Sequence, residues 1–257
     1  MNGNFYAFGP AKWKKSRLRA ILTFHSIDNS GSVLSFPVNA FKRLMTALAL
    51  SETPVVGLSD ILSVEEGVVI TFDDGMKSIR DHALPVLNDL KFRAHLFLTT
   101  GAVGESNNWP TQPVLAPRFS MLDWDDIEQC QAGGMRIEAH THTHPDLRQL
   151  TEQEIETECN RVNQIIECRT GRTPKHFAYP YGYWDSRIAA AISQTYDSAV
   201  TTDMKFVGKR KPDPYGLPRL DSYYFQNGIS LTQPFGLPSR TYLELRRTLR
   251  IVRKAVT

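Results

Sequence analysis

Two short stretches of this chain carry the side chains of metal-assisted hydrolysis. Val68-Val69-Ile70-Thr71-Phe72-Asp73-Asp74-Gly75 is an apolar run ending on two adjacent carboxylates and a glycine. Ala139-His140-Thr141-His142-Thr143-His144-Pro145 sets three imidazoles close together beside a proline. A carboxylate with histidines is the ligand set of a catalytic divalent metal, and a spare carboxylate beside it suits activation of water. Spacing alone does not choose the ligands. His140 and His144 are four apart, as on a helix face, but Pro145 disfavours αR geometry at His144. An extended stretch would instead put His140, His142 and His144 on one face. Alone, Asp-Asp-Gly after a strand is ordinarily a turn, and a His-rich loop is as often merely solvated as not. Both together, at the ends of two strands, favour a metal.

The elements that must position these groups read as alternating strands and helices. Ala20 to Phe24 is a strand, and Phe41, Leu44, Met45 and Leu48 recur at helical spacing. Val68 to Phe72 is apolar without alternation, the pattern of a strand buried on both faces. His82 to Leu90 reads as a helix and Ala94 to Leu98 as the next strand. A helix opens at Leu122-Asp123-Trp124 and stops at Gly133-Gly134. Met135 to Ala139 is a strand, and Thr151-Glu152-Gln153-Glu154 is a capping box opening a long amphipathic helix. His176 to Tyr179 and Ser198 to Thr201 complete the strands, with Asp185 to Tyr196 helical between them. Such alternation predicts a parallel sheet, open or closed into a barrel. Ligands then gather at the carboxyl ends of the strands. Asp73 and Asp74, the His140–His144 segment, His25, and Tyr179-Pro180-Tyr181-Gly182 all fall there.

Composition narrows the classes. The chain has 257 residues, 41% hydrophobic and 22% charged, as in a soluble globular protein, and α/β barrels often run to this length undivided. A net charge of +3 is too mild to argue for nucleic acid. Cys130, Cys159 and Cys168 are odd in number and lack CxxC spacing, which favours a reducing compartment and inert thiols. Met1 to Arg19 is polar and basic. The apolar run after it is too short for a signal-peptide core, and no segment approaches the ~18 to 20 apolar residues of a membrane span. A cytoplasmic location is expected, unless a misassigned start hides a leader.

Thr71-Phe72-Asp73-Asp74-Gly75, His140-Thr-His-Thr-His144-Pro145 and Phe177-Ala-Tyr-Pro-Tyr-Gly182 resemble three successive motifs of the NodB-type polysaccharide deacetylases, carbohydrate esterase family four. The resemblance runs from about Leu22 to Leu220. It implies a single-domain α/β fold, a distorted (β/α) barrel usually of seven parallel strands. It also implies removal of acetyl groups from N-acetylated sugars with one divalent ion, zinc being expected and other divalent transition metals being alternatives. Carried over residue by residue, Asp74, His140 and His144 become metal ligands and Asp73 the general base. Neighbouring side chains on an extended backbone diverge, which suits that division. The backbone N–H of Tyr181 takes the oxyanion position.

The chain departs from the family pattern in two places. The tyrosine-glycine motif usually carries an arginine near its start, where this chain has Ala178. Arg219 and Asp221, in Leu217-Pro-Arg-Leu-Asp, are candidate substitutes. The proton-donating histidine usually lies near the C-terminus, yet no histidine follows His176. Leu22-Thr23-Phe24-His25-Ser26-Ile27 resembles a rearranged branch similar to poly-N-acetylglucosamine deacetylases, and it assigns His25 as the acid. A neutral core histidine is the competing reading.

His82, His95 and His176 read as structural, and His142 as a group flanking the metal. Trp124, Leu147 and Tyr179 are candidate walls of a sugar cleft, with core packing as the alternative. Near the C-terminus, Tyr242, Leu245, Leu249, Val252 and Val256 recur at helical spacing among Arg246, Arg247, Arg250, Arg253 and Lys254. Such a helix either packs on the barrel or lies on an anionic membrane surface, at the inner face for a cytoplasmic protein. The expected organisation is thus a basic extension over 1–19, a catalytic domain over 20–235 and a basic amphipathic helix over 236–257. The expected partner is an N-acetylated saccharide. A deformylase or ring amidase on the same site, or an inactive carbohydrate-binding relative, are the competing functions.

Overall fold

The apolar runs pair as neighbours in one parallel sheet. The computed structural model describes residues 18–110, 112, 116–208, 210, 212–226 and 228–256. The expected N-terminal extension thus lies outside the described residues except for Leu18 and Arg19, and Arg19 is already the first residue of a strand. The strands are β1 (Arg19–Phe24), β2 (Ser26–Ile27), β3 (Ser35–Phe36), β4 (Gly67–Phe72), β5 (His95–Leu98), β6 (Arg136–Ala139), β7 (His176–Ala178), β8 (Ser198–Val200) and β9 (Leu220–Asp221). The helices are α1 (Val38–Leu50), α2 (Leu84–Asp89), α3 (Trp124–Ala132), α4 (Glu152–Thr170), α5 (Ser186–Ser193), α6 (Gly228–Thr232) and α7 (Leu237–Val256). Seven strands form the main sheet in the order β8-β7-β6-β5-β4-β1-β9, every pair parallel, while β2 and β3 make a small sheet of their own.

One stretch of chain draws the two edges of the sheet together. Leu217 exchanges hydrogen bonds with the β8 edge, accepting from Thr201 N–H at 2.8 Å and donating to Ala199 O at 3.0 Å. Three residues later Leu220–Asp221 pairs with β1. The result is the distorted (β/α) barrel that the motifs imply, its last strand reduced to two residues. Arg219 lies between the two pairings, and this placement matters below.

Both faces of the strands are apolar because both are covered. On β1, Ala20, Leu22 and Phe24 pack outward with the helices, whereas Ile21 packs inward with Val69, Phe97, Ala178 and Val200 of the neighbouring strands. Helix ends follow their sequence signals. Asp123 and Asp126 form a capping box on α3, Thr151 and Glu154 another on α4, and α4 ends at Gly171 in the left-handed region. Such caps contribute about 1 kcal/mol each. The helix expected over His82 to Leu90 begins instead as a π-turn over Ile79–Ala83 before α2. Pro85 has no N–H to close an ordinary turn there.

Period-two alternation sorts the inward side chains into tiers. The apolar ring above is the middle. At the amino ends of β5, β7 and β8, His95, His176 and Ser198 form a buried polar floor, joined by Glu138 of β6. Glu138 accepts from the N–H groups of Lys175 (2.9 Å) and His176 (3.0 Å) and lies 3.1 Å from His95 Nδ1. His176 reaches Ser198 Oγ at 2.9 Å, and burial pushes its pKa down to about 4. His95 and His176 are therefore structural, as their positions in the sequence suggest, and His82 is exposed on the π-turn. Cys130 and Cys159 are buried, their thiols pushed up to about 12 chiefly by desolvation, which leaves them inert; Cys168 is exposed and unbridged.

Candidate metal centre and active site

The third tier, at the carboxyl ends, is chemical. Asp73 follows Val69 and Thr71 on the inward side of β4, and His140 follows Glu138 on that of β6. Asp74, His140 and His144 are all buried and offer ligand atoms that lie within 4.8 Å of one another. Nε2 of His140 and Nε2 of His144 stand 3.4 and 3.5 Å from the same oxygen, Asp74 Oδ1. That oxygen is enclosed yet has no hydrogen-bond partner among the described residues. His140 Nδ1 lies 2.8 Å from Ala178 O, so its proton belongs there and Nε2 keeps its lone pair for the cluster. A carboxylate and two imidazoles around an unsatisfied buried oxygen fit a divalent ion of borderline softness.

The backbone is bent to make this set. Six non-glycine residues among those described have positive φ, and four are here: Asp74 (71°), Thr141 (65°), His144 (55°) and Tyr181 (60°). Such conformations cost about 1–3 kcal/mol each and persist where surroundings over-determine them. The histidine loop is held from α4: Glu158 accepts from His142 N–H (2.7 Å), Thr143 N–H (2.9 Å) and Thr143 Oγ1 (2.7 Å). Thr141 Oγ1 in turn accepts from His144 N–H at 3.0 Å. Gly75 sits at φ +100°, where any side chain is strained, and a Cβ there would also press on Leu98 Cδ1 at 2.6 Å.

Asp73 is gripped by Arg219. The guanidinium donates to both carboxylate oxygens at 2.6 Å, to Thr71 Oγ1 at 3.2 Å and to Thr201 O at 2.9 Å, and is almost fully buried. Burial alone would raise the Asp73 pKa. The charge and hydrogen bonds of Arg219 outweigh it and hold the carboxyl below its usual range, so Asp73 is ionised. Nε2 of His25 lies 4.0 Å from Asp73 Oδ2, on a side chain 30% exposed. Burial pushes His144 down to about 3, which keeps it neutral as a ligand must be.

Several expected residues sit elsewhere. Asp221 does not reach Arg219 or Asp73: it accepts from Tyr223 N–H at 3.0 Å and pairs with Arg250 at 3.7 Å. As the last residue of β9 it caps the turn over Ser222–Phe225, and that turn draws its carboxylate away from Arg219. Tyr179 and Leu147 are fully enclosed in the helix-side core, and the Tyr179 hydroxyl donates to Tyr215 O at 2.9 Å. Trp124 lies between α3 and α4 with the Arg169 guanidinium 5.2 Å from its ring. All three thus pack in or against the core, the alternative reading. His142 is outside the ligand set, its Nδ1 2.9 Å from Thr100 Oγ1.

The aromatic face at the site is Trp109 instead, stacked on His144 with ring centroids 4.2 Å apart and 28° between planes. Tyr181 meets His144 edge-on at 4.6 Å. Trp109, Asn108, His142 and Thr143 line an adjacent cavity of about 350 Å³. A large aromatic in a long strand-to-helix connection was the available signal for Trp109. For Glu158 there was none beyond its place on the amphipathic helix.

Comparison with known proteins agrees with this geometry. The family model for polysaccharide deacetylases matches residues 63–197. Over 201 residues the chain is 26% identical to YxkH of Bacillus subtilis (strain 168), whose name places it among polysaccharide deacetylases; the alignment covers 75% of this chain and 67% of that protein. It is 27% identical over 127 residues to the poly-beta-1,6-N-acetyl-D-glucosamine N-deacetylase of Staphylococcus aureus (strain MSSA476), covering 46% of this chain and 41% of that enzyme. The chain thus spans under half the length of that relative. Its fold superposes on IcaB from Ammonifex degensii with a TM-score of 0.70 at 22% identity, covering 85% of this chain and 96% of the other. His25 and Arg219 fall outside the matched segment and are brought in by β1 and β9. The segment itself spans more than half of the sequence and holds Asp73, Asp74, His140, His144 and Tyr181, so the chain belongs to the polysaccharide deacetylase family.

Proposed function

We propose that this chain is a metal-dependent hydrolase that removes N-acetyl groups from an amino sugar of a polysaccharide, oligosaccharide or lipid-linked saccharide. The observation that carries the reading is one rim bearing a buried three-donor cluster beside an aspartate clamped by arginine, with a histidine 4.0 Å from that aspartate. Asp74, His140 and His144 would hold the ion, with zinc favoured by the donor set. When bound, such an ion polarises the acyl oxygen and lowers the pKa of water from ~15.7 toward ~7.

The other tasks belong to the chain. Asp73, ionised and fixed by Arg219, takes a proton from the water whose oxygen bonds to the acyl carbon. The Tyr181 N–H, in its left-handed turn, donates to the oxygen that gains charge. As the C–N bond breaks, His25 gives its proton to the departing amine, leaving acetate and a free amino sugar. Arg219 does for the base what the arginine missing at Ala178 does in relatives, which weakens the inactive-relative reading. Ala178 contributes a carbonyl that orients His140.

The test is a panel of N-acetylated saccharides and lipid-linked precursors scored for acetate release. Release should vanish on chelation and return with Zn²⁺ or another divalent transition metal. Formate release from N-formyl sugars without acetate from any N-acetyl sugar would favour the deformylase reading. The His25 role has its own check. His25→Ala should slow amide cleavage by about 10²–10⁴-fold but slow cleavage of activated esters far less, because their leaving groups need no proton. Equal slowing of both would remove His25 from the acid role.

A further inference from the structure

The C-terminal helix is amphipathic in the opposite sense to a packed surface helix. Ser239 and Leu243 of α7 are buried against the body. The Arg246 guanidinium stands 5.1 Å from the Tyr224 ring, and Arg250 meets Asp221 at 3.7 Å. The stripe of Tyr242, Leu245, Leu249 and Val252 points to solvent, 38%, 59%, 52% and 55% exposed. Five of the ten large exposed apolar side chains among the described residues lie on this one helix, with Leu237 the fifth. Singly scattered apolar residues need no explanation, whereas a continuous stripe marks an interaction surface. Packing of this stripe on the barrel, one of the two expectations from the sequence, is not what the structure has.

Charge selects the occupant. The sequence of α7 holds six cations, Arg240, Arg246, Arg247, Arg250, Arg253 and Lys254, against the single carboxylate Glu244. The helix is thus +5 in a chain of net +3, and the remainder is net negative. Arg246 flanks the stripe, whereas Arg240, Arg247 and Arg250 are half-buried on the other side of the helix, with Arg240 5.8 Å from the Phe206 ring and Arg247 paired with Glu244 at 3.1 Å. An apolar stripe on a helix of net +5 whose cations lie mainly on its polar face fits the surface of an anionic bilayer. Pairing with a second copy would set two such helices, each +5, against one another.

We infer that α7 is a peripheral docking helix for anionic phospholipid bilayers, seating Leu245, Leu249 and Val252 among the acyl chains. It meets the barrel beside Asp221 at the carboxyl end of β9, so docking joins the lipid surface to the rim that carries the site. This inference rests on α7 alone and holds whatever the site cleaves.

The full chain should co-sediment with vesicles of phosphatidylcholine and phosphatidylglycerol at low salt, and weakly with phosphatidylcholine alone. Leu245→Glu with Leu249→Glu should weaken binding by at least about tenfold, or 1.4 kcal/mol, with the thermal midpoint unchanged. Leu245→Ser with Leu249→Ser, which adds no charge, should weaken it in the same direction. Undiminished binding of both double variants, equal binding to both vesicle types, or no binding by the unaltered chain would overturn the inference. So would a dimer in solution that the double variants convert to monomer without any vesicle binding, which would assign the stripe to a second copy.

Discussion

Asp73→Asn should lower turnover by at least ~10²–10⁴-fold while the protein keeps its full complement of divalent ion. The substitution preserves shape and removes the charge that accepts a proton. The three candidate donors remain untouched, because Asp74, turned into the left-handed region, faces His140 and His144 while Asp73 faces Arg219. His140→Ala is the matched control. It removes a donor and leaves Ala178 O without its 2.8 Å partner, so ion and turnover should fall together. Metal content measured beside acetate release on both variants decides the matter. Equal metal loss in the two would mean that the adjacent aspartates do not divide ligand from base.

The parts of this site that could be read in the sequence are those whose signal is local. The uninterrupted apolar run at Val68 to Phe72 and the capping box at Thr151 appear as a fully buried strand and a capped helix. The Asp-Asp and His-Thr-His-Thr-His motifs sit on a common rim because a parallel sheet sends all its strands the same way. What the sequence hid depends on distance or on short elements. β9 is two residues long and has no periodicity to detect, yet its pairing with β1 fixes Arg219, the residue just before it, in the barrel. Asp221, two residues on in Leu217-Pro-Arg-Leu-Asp, shares its strand face by alternation and could not be separated from it without knowing that the strand ends there and Asp221 caps the next turn. The aromatic beside the cluster was hidden for a related reason: Trp109 reaches His144 from a loop whose path no pattern predicts. Buried Asn107 secures that loop, donating to Pro117 O at 3.1 Å and accepting from Phe119 N–H at 2.7 Å.

Arg219→Ala should harm the protein more than any other single change at the site, because it strands a buried carboxylate. Removing one partner of a buried ion pair costs roughly 3–5 kcal/mol, the remaining charge being desolvated and unpaired. Arg219 also ties the end of β8 to the sheet through Thr201 O and Thr71 Oγ1, so part of the loss is structural. A double variant separates the two contributions. Asp73→Asn in the Arg219→Ala background removes the stranded charge and should restore part of the stability, although each change alone destabilises. No restoration would make Arg219 a packing and hydrogen-bonding residue only.

The sign with pH is also fixed. In the parent protein the folded Asp73 pKa lies below its unfolded value of ~3.9, so its contribution is present above that value and lost as pH falls through the folded pKa. Without Arg219, the largest influence left on Asp73 is burial, which raises its pKa, so acid relieves the variant rather than harming it. The stability gap between parent and Arg219→Ala, measured by urea unfolding of chelated protein, should therefore be widest near neutrality and narrow below about pH 4. A gap constant across that range would mean that the pair is not what Arg219 holds. Arg219→Lys keeps the charge and loses the fork, so it should recover stability better than turnover, since a single ammonium cannot fix both oxygens of the base.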